Sequence, residues 1–133
     1  MKAVFVDTSG FYGALNAADP YHRKARALLL KAEAEDWRLL TSNYVVQESW
    51  ALIQTRLGWE AVEAWHRALL ARCEIIWVDE ELHRLGAARC RQAGERRLSL
   101  TDCVSFEVMH RERVREFIGD DEHFSNEGFS APS

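Results

Sequence analysis

Carboxylates placed where apolar segments end are the residues of this chain best suited to do chemistry. Asp7 directly follows Val4-Phe5-Val6, and Asp120 and Asp121 follow Phe117-Ile118-Gly119. Asp102 lies in Ser99-Leu100-Thr101-Asp102-Cys103-Val104, at the first turn of the most apolar helical pattern in the chain. Glu48 borders the helical stripe set by Val45, Ser49 and Leu52. Each has an ordinary explanation when taken singly, as a helix cap, a dipole-stabilised first-turn acid, a turn residue or a solvated stripe edge. Gathered in one pocket they would repel one another unless a cation were shared. Hard divalent cations such as Mg²⁺ take oxygen ligands and leave their other positions to water and substrate phosphate. Such a site activates a water at neutral pH and stabilises charge on a scissile phosphate and its leaving oxygen.

The elements that must position these acids alternate along the chain. Residues 3–6, 39–41, 75–78 and 116–118 read as short buried strands. Ala25, Leu28, Leu29 and Ala32 follow helical spacing behind Asp19-Pro20, read here as a cap and first-turn pair. Val45, Ser49, Leu52 and Arg56 form a second stripe, and Val62, Trp65, His66, Leu69 and Leu70 a third, separated by Gly58. Asp79 caps a helix through Leu82, Leu85 and Gly86 that stops near Gly94. The segment from Cys103 to Met109 is apolar on nearly every side, as expected of a centrally buried helix. Strand–helix alternation at this spacing predicts an α/β three-layer sandwich. Its mainly parallel sheet has four or five strands flanked by helices. Ligands of such folds bind beyond the carboxyl ends of the strands, where the strand order reverses.

Composition narrows the class. With 133 residues, 47% hydrophobic and 29% charged, the chain reads as a single domain over residues 1–133 with an ordinary core. Met1–Val6 is too short for a signal peptide, and no apolar run reaches membrane-spanning length. Cys73, Cys90 and Cys103 are odd in number and lack a C-x-x-C spacing, which argues against a disulfide framework or a zinc site and for a reduced, cytoplasmic protein. A net charge of -4 argues against a protein that coats nucleic acid through a basic surface, but not against a nuclease whose acids hold cations. Arginines cluster at Arg89, Arg91, Arg96 and Arg97 and again at Arg111, Arg113 and Arg115, as a solvated face or as phosphate contacts.

The acidic segments, in order, resemble the PIN-domain family, and in particular its VapC-type ribonuclease toxins of toxin–antitoxin pairs. The opening V-F-V-D-T-S-G-F-Y-G-A-L is similar to that family's first strand and acid, at Asp7. S-N-Y-V-V-Q-E-S matches the second acid through Glu48, and L-S-L-T-D-C-V-S-F-E-V-M the third through Asp102. I-G-D-D-E-H-F resembles the D-x-H-F close, which assigns the fourth acid to Asp121 rather than Asp120 and leaves open whether Asp120 shares the role. The family commonly has Ser or Thr where this chain has Gly119. The resemblance implies that Asp7, Glu48, Asp102 and Asp121 are the catalytic, metal-binding acids. It implies Mg²⁺- or Mn²⁺-dependent hydrolysis of an RNA phosphodiester by a metal-activated water. It implies an RNA substrate, an antitoxin protein partner and a homodimer, while the lack of a membrane-spanning apolar run argues against a membrane partner. Trp50, Trp59 and Trp65 would suit a partner surface on the two middle helices, and His123 is expected to be structural. Thr8 and Ser9 either hydrogen-bond the acids or cap the following helix.

Rival chemistries lack their residues. A receiver domain needs a late Lys, and none follows Lys31; a P-loop needs Gly-Lys at the end of a Gly-rich loop, which is absent. A dehalogenase-type phosphatase wants an acid where Ser9 stands. The alternative from another class is a catalytically silent PIN-like module that engages a protein through its aromatic helices. Four filled acid positions favour the enzyme.

Overall fold

The computed structural model describes residues 1–133. Four strands, β1 (Ala3–Val6), β2 (Arg38–Ser42), β3 (Glu74–Ile76) and β4 (Glu116–Ile118), form one all-parallel sheet in the order β3-β2-β1-β4. Phe5 pairs with Leu40 on one side and Phe117 on the other, so β1 is central. Val4, Phe5 and Val6 are all buried, which is why this strand reads as a continuous apolar run rather than an alternation. The chain steps from β1 to β2 and β3 on one side and returns to place β4 on the other. The strand order therefore reverses between β1 and β4.

Seven helices flank the sheet: α1 (Thr8–Leu15), α2 (His22–Ala34), α3 (Asn43–Leu57), α4 (Trp59–Ala68), α5 (Glu80–Ala93), α6 (Leu100–Glu112) and α7 (Glu122–Asn126). The expected α/β sandwich with a four-stranded parallel sheet is present. Helix α6 buries Asp102 through Phe106 together with Val108 and Met109, as its all-round apolar pattern requires. Gly58 (φ 94°) and Gly94 (φ 59°) end α3 and α5 in conformations that other residues rarely adopt.

Three local expectations are corrected. The third strand covers 74–76 rather than 75–78, because β2 ends at Ser42, which turns to cap α3, and leaves no ladder partner for Trp77. Trp77 is 71% exposed, and the backbone N–H of Val78 donates instead to the Asn43 side chain at 2.7 Å. Asp19-Pro20 lies in the turn before α2 rather than inside it. The Asp19 carboxylate accepts the backbone N–H of Tyr21 at 2.8 Å, and the helix starts at His22. The buried face of α3 runs through Val45, Ser49 and Ile53, which leaves Leu52 half-buried beside Glu48 and Arg56 on the surface. That rotation puts Glu48 and Leu52, one turn apart, on the same helix edge.

Close approach fixes how α1 meets the sheet. A Cβ on Gly10 would lie 2.3 Å from the carbonyl oxygen of Ile118, so α1 is pressed directly against the end of β4. The Asp7 N–H donates to that same carbonyl at 3.1 Å. The first acid and the last strand are thereby locked together.

Candidate active site

Asp7 is the N-cap of α1, and its Oδ2 accepts from the Ser9 backbone N–H (3.3 Å) and from the Ser9 hydroxyl (2.9 Å). The Ser9 hydroxyl in turn accepts the backbone N–H of Asp120 at 2.8 Å, and the Tyr21 hydroxyl accepts that of Gly119 at 3.1 Å. Ser9 therefore ties the first acid to the loop after β4, while the cap of α1 is Asp7 itself. A side chain at position 119 would crowd Ser9 Oγ (2.9 Å) and the Asp7 Cβ (3.2 Å), which explains glycine there.

Asp102 is brought in by a capping box at the start of α6. Its Oδ2 accepts the Ser99 N–H at 3.1 Å, and the Ser99 hydroxyl accepts the Asp102 N–H at 3.0 Å. Asp121 caps α7, and its Oδ1 takes both the backbone N–H of His123 and the His123 Nδ1, each at 2.9 Å. His123 reaches Glu95 with Nε2 at 3.7 Å. The expectation of a structural His123 fits this role. The same histidine nevertheless lies in the cluster, with ligand atoms of Asp102, Asp121 and His123 within 4.8 Å of one another.

One cavity of about 290 Å³, outside the carboxyl ends of β1 and β4, gathers Asp7, Glu48, Asp102, Asp120 and Asp121 with Thr8, Ser9, Tyr12 and Leu52. All four acids expected from the sequence meet there, and Asp120 joins them. The sequence reading missed Asp19, which lines the same cavity. Its place after the first helix gave only a capping signal. Six carboxylates thus share a cavity whose lining contains no basic side chain.

The electrostatic consequence is plain at the two most enclosed members. Burial, and then the charge of Asp102, push the Asp7 carboxyl up to about 7, against the lowering effect of its Ser9 hydrogen bond. Burial, and then the charge of Asp121, raise Asp102 to about 6. The free oxygens point the same way. Asp7 and Asp102 each use Oδ2 and Asp121 uses Oδ1, while the other oxygen of each accepts no hydrogen bond from the protein. Thr8 Oγ1, which is buried and lines the cavity, also lacks a partner. Unpaired hard oxygens around a confined negative potential fit a divalent cation with its waters.

A family model described as the PIN domain matches residues 4–129. The chain belongs to the PIN-domain family. This PIN domain is 32% identical over 130 residues to the 23S rRNA-specific endonuclease VapC20 of Mycobacterium tuberculosis, with 95% of each chain covered. The crystal structure of Mycobacterium tuberculosis VapC20, described as a sarcin–ricin loop cleaving toxin, superposes with a TM-score of 0.84 at 30% identity, covering 95% of each chain. Two further structures share the fold at 15% identity. VapBC2 from Rickettsia felis bound to a promoter DNA fragment has a TM-score of 0.68, covering 98% of this chain and 97% of that one. FitAcB from Neisseria gonorrhoeae has a TM-score of 0.67, covering 97% and 96%. No helix of this PIN domain is long and apolar enough to cross a membrane.

Other sequence features resolve differently. Trp65 is fully buried against Phe11 (ring centroids 5.7 Å apart), so it cannot belong to a partner surface. Trp50 and Trp59 remain on the surface, 6.0 Å apart edge to face. Of the clustered arginines, Arg89 bridges Glu107 and Glu127, and Arg111 pairs with Asp79 and Glu81. Arg91, Arg96, Arg97, Arg113 and Arg115 make no ion pair.

Proposed function

We propose that this PIN domain is a divalent-metal-dependent endoribonuclease, the toxin of a toxin–antitoxin pair. The observation that carries the reading is the convergence of Asp7, Glu48, Asp102 and Asp121 on one cavity without a neutralising base. The similarity to a 23S rRNA-specific endonuclease over nearly the whole chain supports RNA as substrate and makes ribosomal RNA the first to test.

Asp7, Asp102, Glu48 and Asp121 would hold Mg²⁺ or Mn²⁺, directly or through water. Bound there, the ion supplies positive charge against the scissile phosphate and makes water a better nucleophile at neutral pH. The residues have distinct tasks. Asp7 and Asp102 present one unpaired oxygen each while their other oxygen is fixed to a backbone N–H, so their aim is set before any ligand arrives. With carboxyls raised to about 7 and 6, they hold a proton part of the time near neutrality and release it when positive charge enters. Ser9 keeps the Asp7 carboxylate and the 120–121 loop in register. His123 fixes one oxygen of Asp121 and leaves the other to the cavity. Asp120, beside Asp121 in the cavity, shares its role.

A homodimer and an antitoxin belong to the same proposal. Exposed Trp77 at the end of the edge strand offers an apolar contact for a second copy. Trp50 and Trp59 offer a surface for an antitoxin segment. The test begins with Mn²⁺ calorimetry on wild type and Asp102→Ala, with circular dichroism as the folding check, followed by incubation with ribosomal RNA. Loss of both binding and cleavage in a folded variant supports the reading. Cleavage that survives in Asp102→Ala would sink it.

A further inference from the structure

The residues just before Glu48 and Asp102 line a second cavity. There the first turns of α3 and α6 enclose a cavity of about 430 Å³, lined by Asn43, Tyr44, Gln47, Leu100 and Thr101. Gln47 and Thr101 immediately precede Glu48 and Asp102, so the two cavities are neighbours along both helices. Their chemistry is opposite. The first holds six carboxylates, and the second holds no charged side chain.

What the second cavity offers is hydrogen-bonding edges beside apolar surface. The Asn43 carbonyl oxygen is committed to the Val78 N–H at 2.7 Å, which orients the amide and leaves its NH₂ as a donor without a protein acceptor. The Gln47 side chain is exposed and enters no hydrogen bond in the protein, and neither does the Thr101 hydroxyl. Leu100 is 36% exposed, unusual for a leucine in the first turn of a buried helix, and the Tyr44 ring stands beside it in the lining. The Tyr44 hydroxyl is already hydrogen-bonded to His83, so the ring is held in place. An amide donor, a free amide, a hydroxyl and an aromatic or aliphatic face are what an unstacked nucleobase requires. Positive charge lies close by in the chain. Arg96 and Arg97, exposed and without ion pairs, occupy the loop that leads into Leu100.

We propose that the cavity between the first turns of α3 and α6 is a nucleobase subsite. It receives a nucleotide next to the cleaved phosphodiester and reads its base through Asn43 and Gln47, with Arg96 and Arg97 on the adjoining phosphates. The subsite rests on the ribonuclease reading and adds to it a reason for sequence preference. Arg96 and Arg97 contact no base, so their effect is uniform across sequences, whereas Gln47 distinguishes them.

The test is fluorescence anisotropy with labelled single-stranded A₁₂, C₁₂ and U₁₂ RNA, with Ca²⁺ replacing Mg²⁺ so that binding is read without turnover. Wild type is expected to prefer one homopolymer. Gln47→Ala should weaken that one by roughly three- to tenfold, the loss of one net hydrogen bond, and leave the others within about twofold. Thr101→Val, nearly isosteric, should act in the same direction. Arg96→Ala/Arg97→Ala should weaken all three alike and flatten the salt dependence. Mn²⁺ binding to Gln47→Ala should be unchanged. A wild type that binds RNA without preference, or a Gln47→Ala profile identical to wild type, overturns the subsite and leaves the nuclease reading standing. A weaker Gln47→Ala that also changes its mass in light scattering overturns it too, since a second copy would then cover the cavity. A wild type that neither binds nor cleaves RNA overturns the underlying reading and the subsite with it.

Discussion

Asp7 occupies a position that suits a metal ligand better than it suits a metal-free fold. Its carboxyl is raised from 3.8 to about 7, first by burial and then by Asp102, whose own value is raised to about 6. A carboxyl whose pKa rises on folding binds its proton more tightly in the native chain. Its contribution to stability is therefore full below the unfolded value and is lost as pH rises through the native one. Without divalent ions, the melting temperature is expected to fall between pH 5 and pH 8, with Mn²⁺ restoring it most at the alkaline end. Asp7→Asn keeps an oxygen for Ser9 but removes the charge. Thermal unfolding at pH 8 in chelator should show it more stable than wild type, by roughly 2–4 kcal/mol at most, while calorimetry shows Mn²⁺ binding lost. A variant no more stable than wild type would mean that Asp7 is not under this strain. Ser99→Ala removes the hydroxyl that accepts the Asp102 backbone N–H and should cost about 1 kcal/mol in thermal unfolding, while calorimetry shows Mn²⁺ binding retained, because the Ser99 backbone N–H still holds the Asp102 Oδ2.

Elements reach the site through close contacts rather than through long side chains. Helix α1 delivers Asp7 and Ser9 because Gly10 lets it touch the carbonyl of Ile118, and β4 delivers Asp120 and Asp121 two and three residues further on. Gly10→Ala would place a methyl 2.3 Å from that backbone oxygen, and no flexible side chain can yield there. The expected outcome is a loss of about 1–3 kcal/mol in denaturant unfolding together with reduced Mn²⁺ affinity, because the helix must lift away from the strand end. Unaltered stability would show that α1 can shift without disturbing β4. Helices α5 and α6 are held in the same manner. Gly86 packs against the backbone of Val104, two residues beyond Asp102, with 2.9 Å from a would-be Cβ to its Cα.

Across the whole molecule, the carboxylates of the cavity sit beyond the reversal between β1 and β4, while Trp50, Trp59 and Trp77 are exposed. Trp77, 71% exposed beyond the short edge strand β3, tests the proposed homodimer. Trp77→Glu should convert a dimer mass to a monomer mass in light scattering without changing the far-ultraviolet spectrum. A dimer that persists would place the interface on another face. Trp50→Ala should instead weaken antitoxin binding and leave the mass of the isolated chain unchanged, because its ring contacts Trp59 and Trp65 on α4 rather than Trp77.

The order of strands and helices along the chain and the parallel sheet were legible in the amino-acid sequence, because each rests on a local regularity, whereas the four acids that meet in the cavity stood out only through their resemblance to the PIN-domain segments. Apolar runs of three to five residues specify buried strands, the helical stripes specify faces, and an acid directly after a strand is a local pattern. The capping helix after Asp79 and the stop at Gly94 were equally local. Tertiary structure alone decided the rest. Whether α3 would bury Leu52 or Ile53 depended on its neighbours, and that choice oriented Glu48. Trp65 reads like its exposed neighbours Trp50 and Trp59, and only packing against Phe11 distinguishes it. Asp19 lies in a turn that looks like any helix cap, and it joins the acidic cavity because the chain folds back there. The strength of the site is likewise a tertiary property. A carboxyl is raised to about 7 only where burial removes water and a second charge lies close, and neither condition is written in the spacing of the residues.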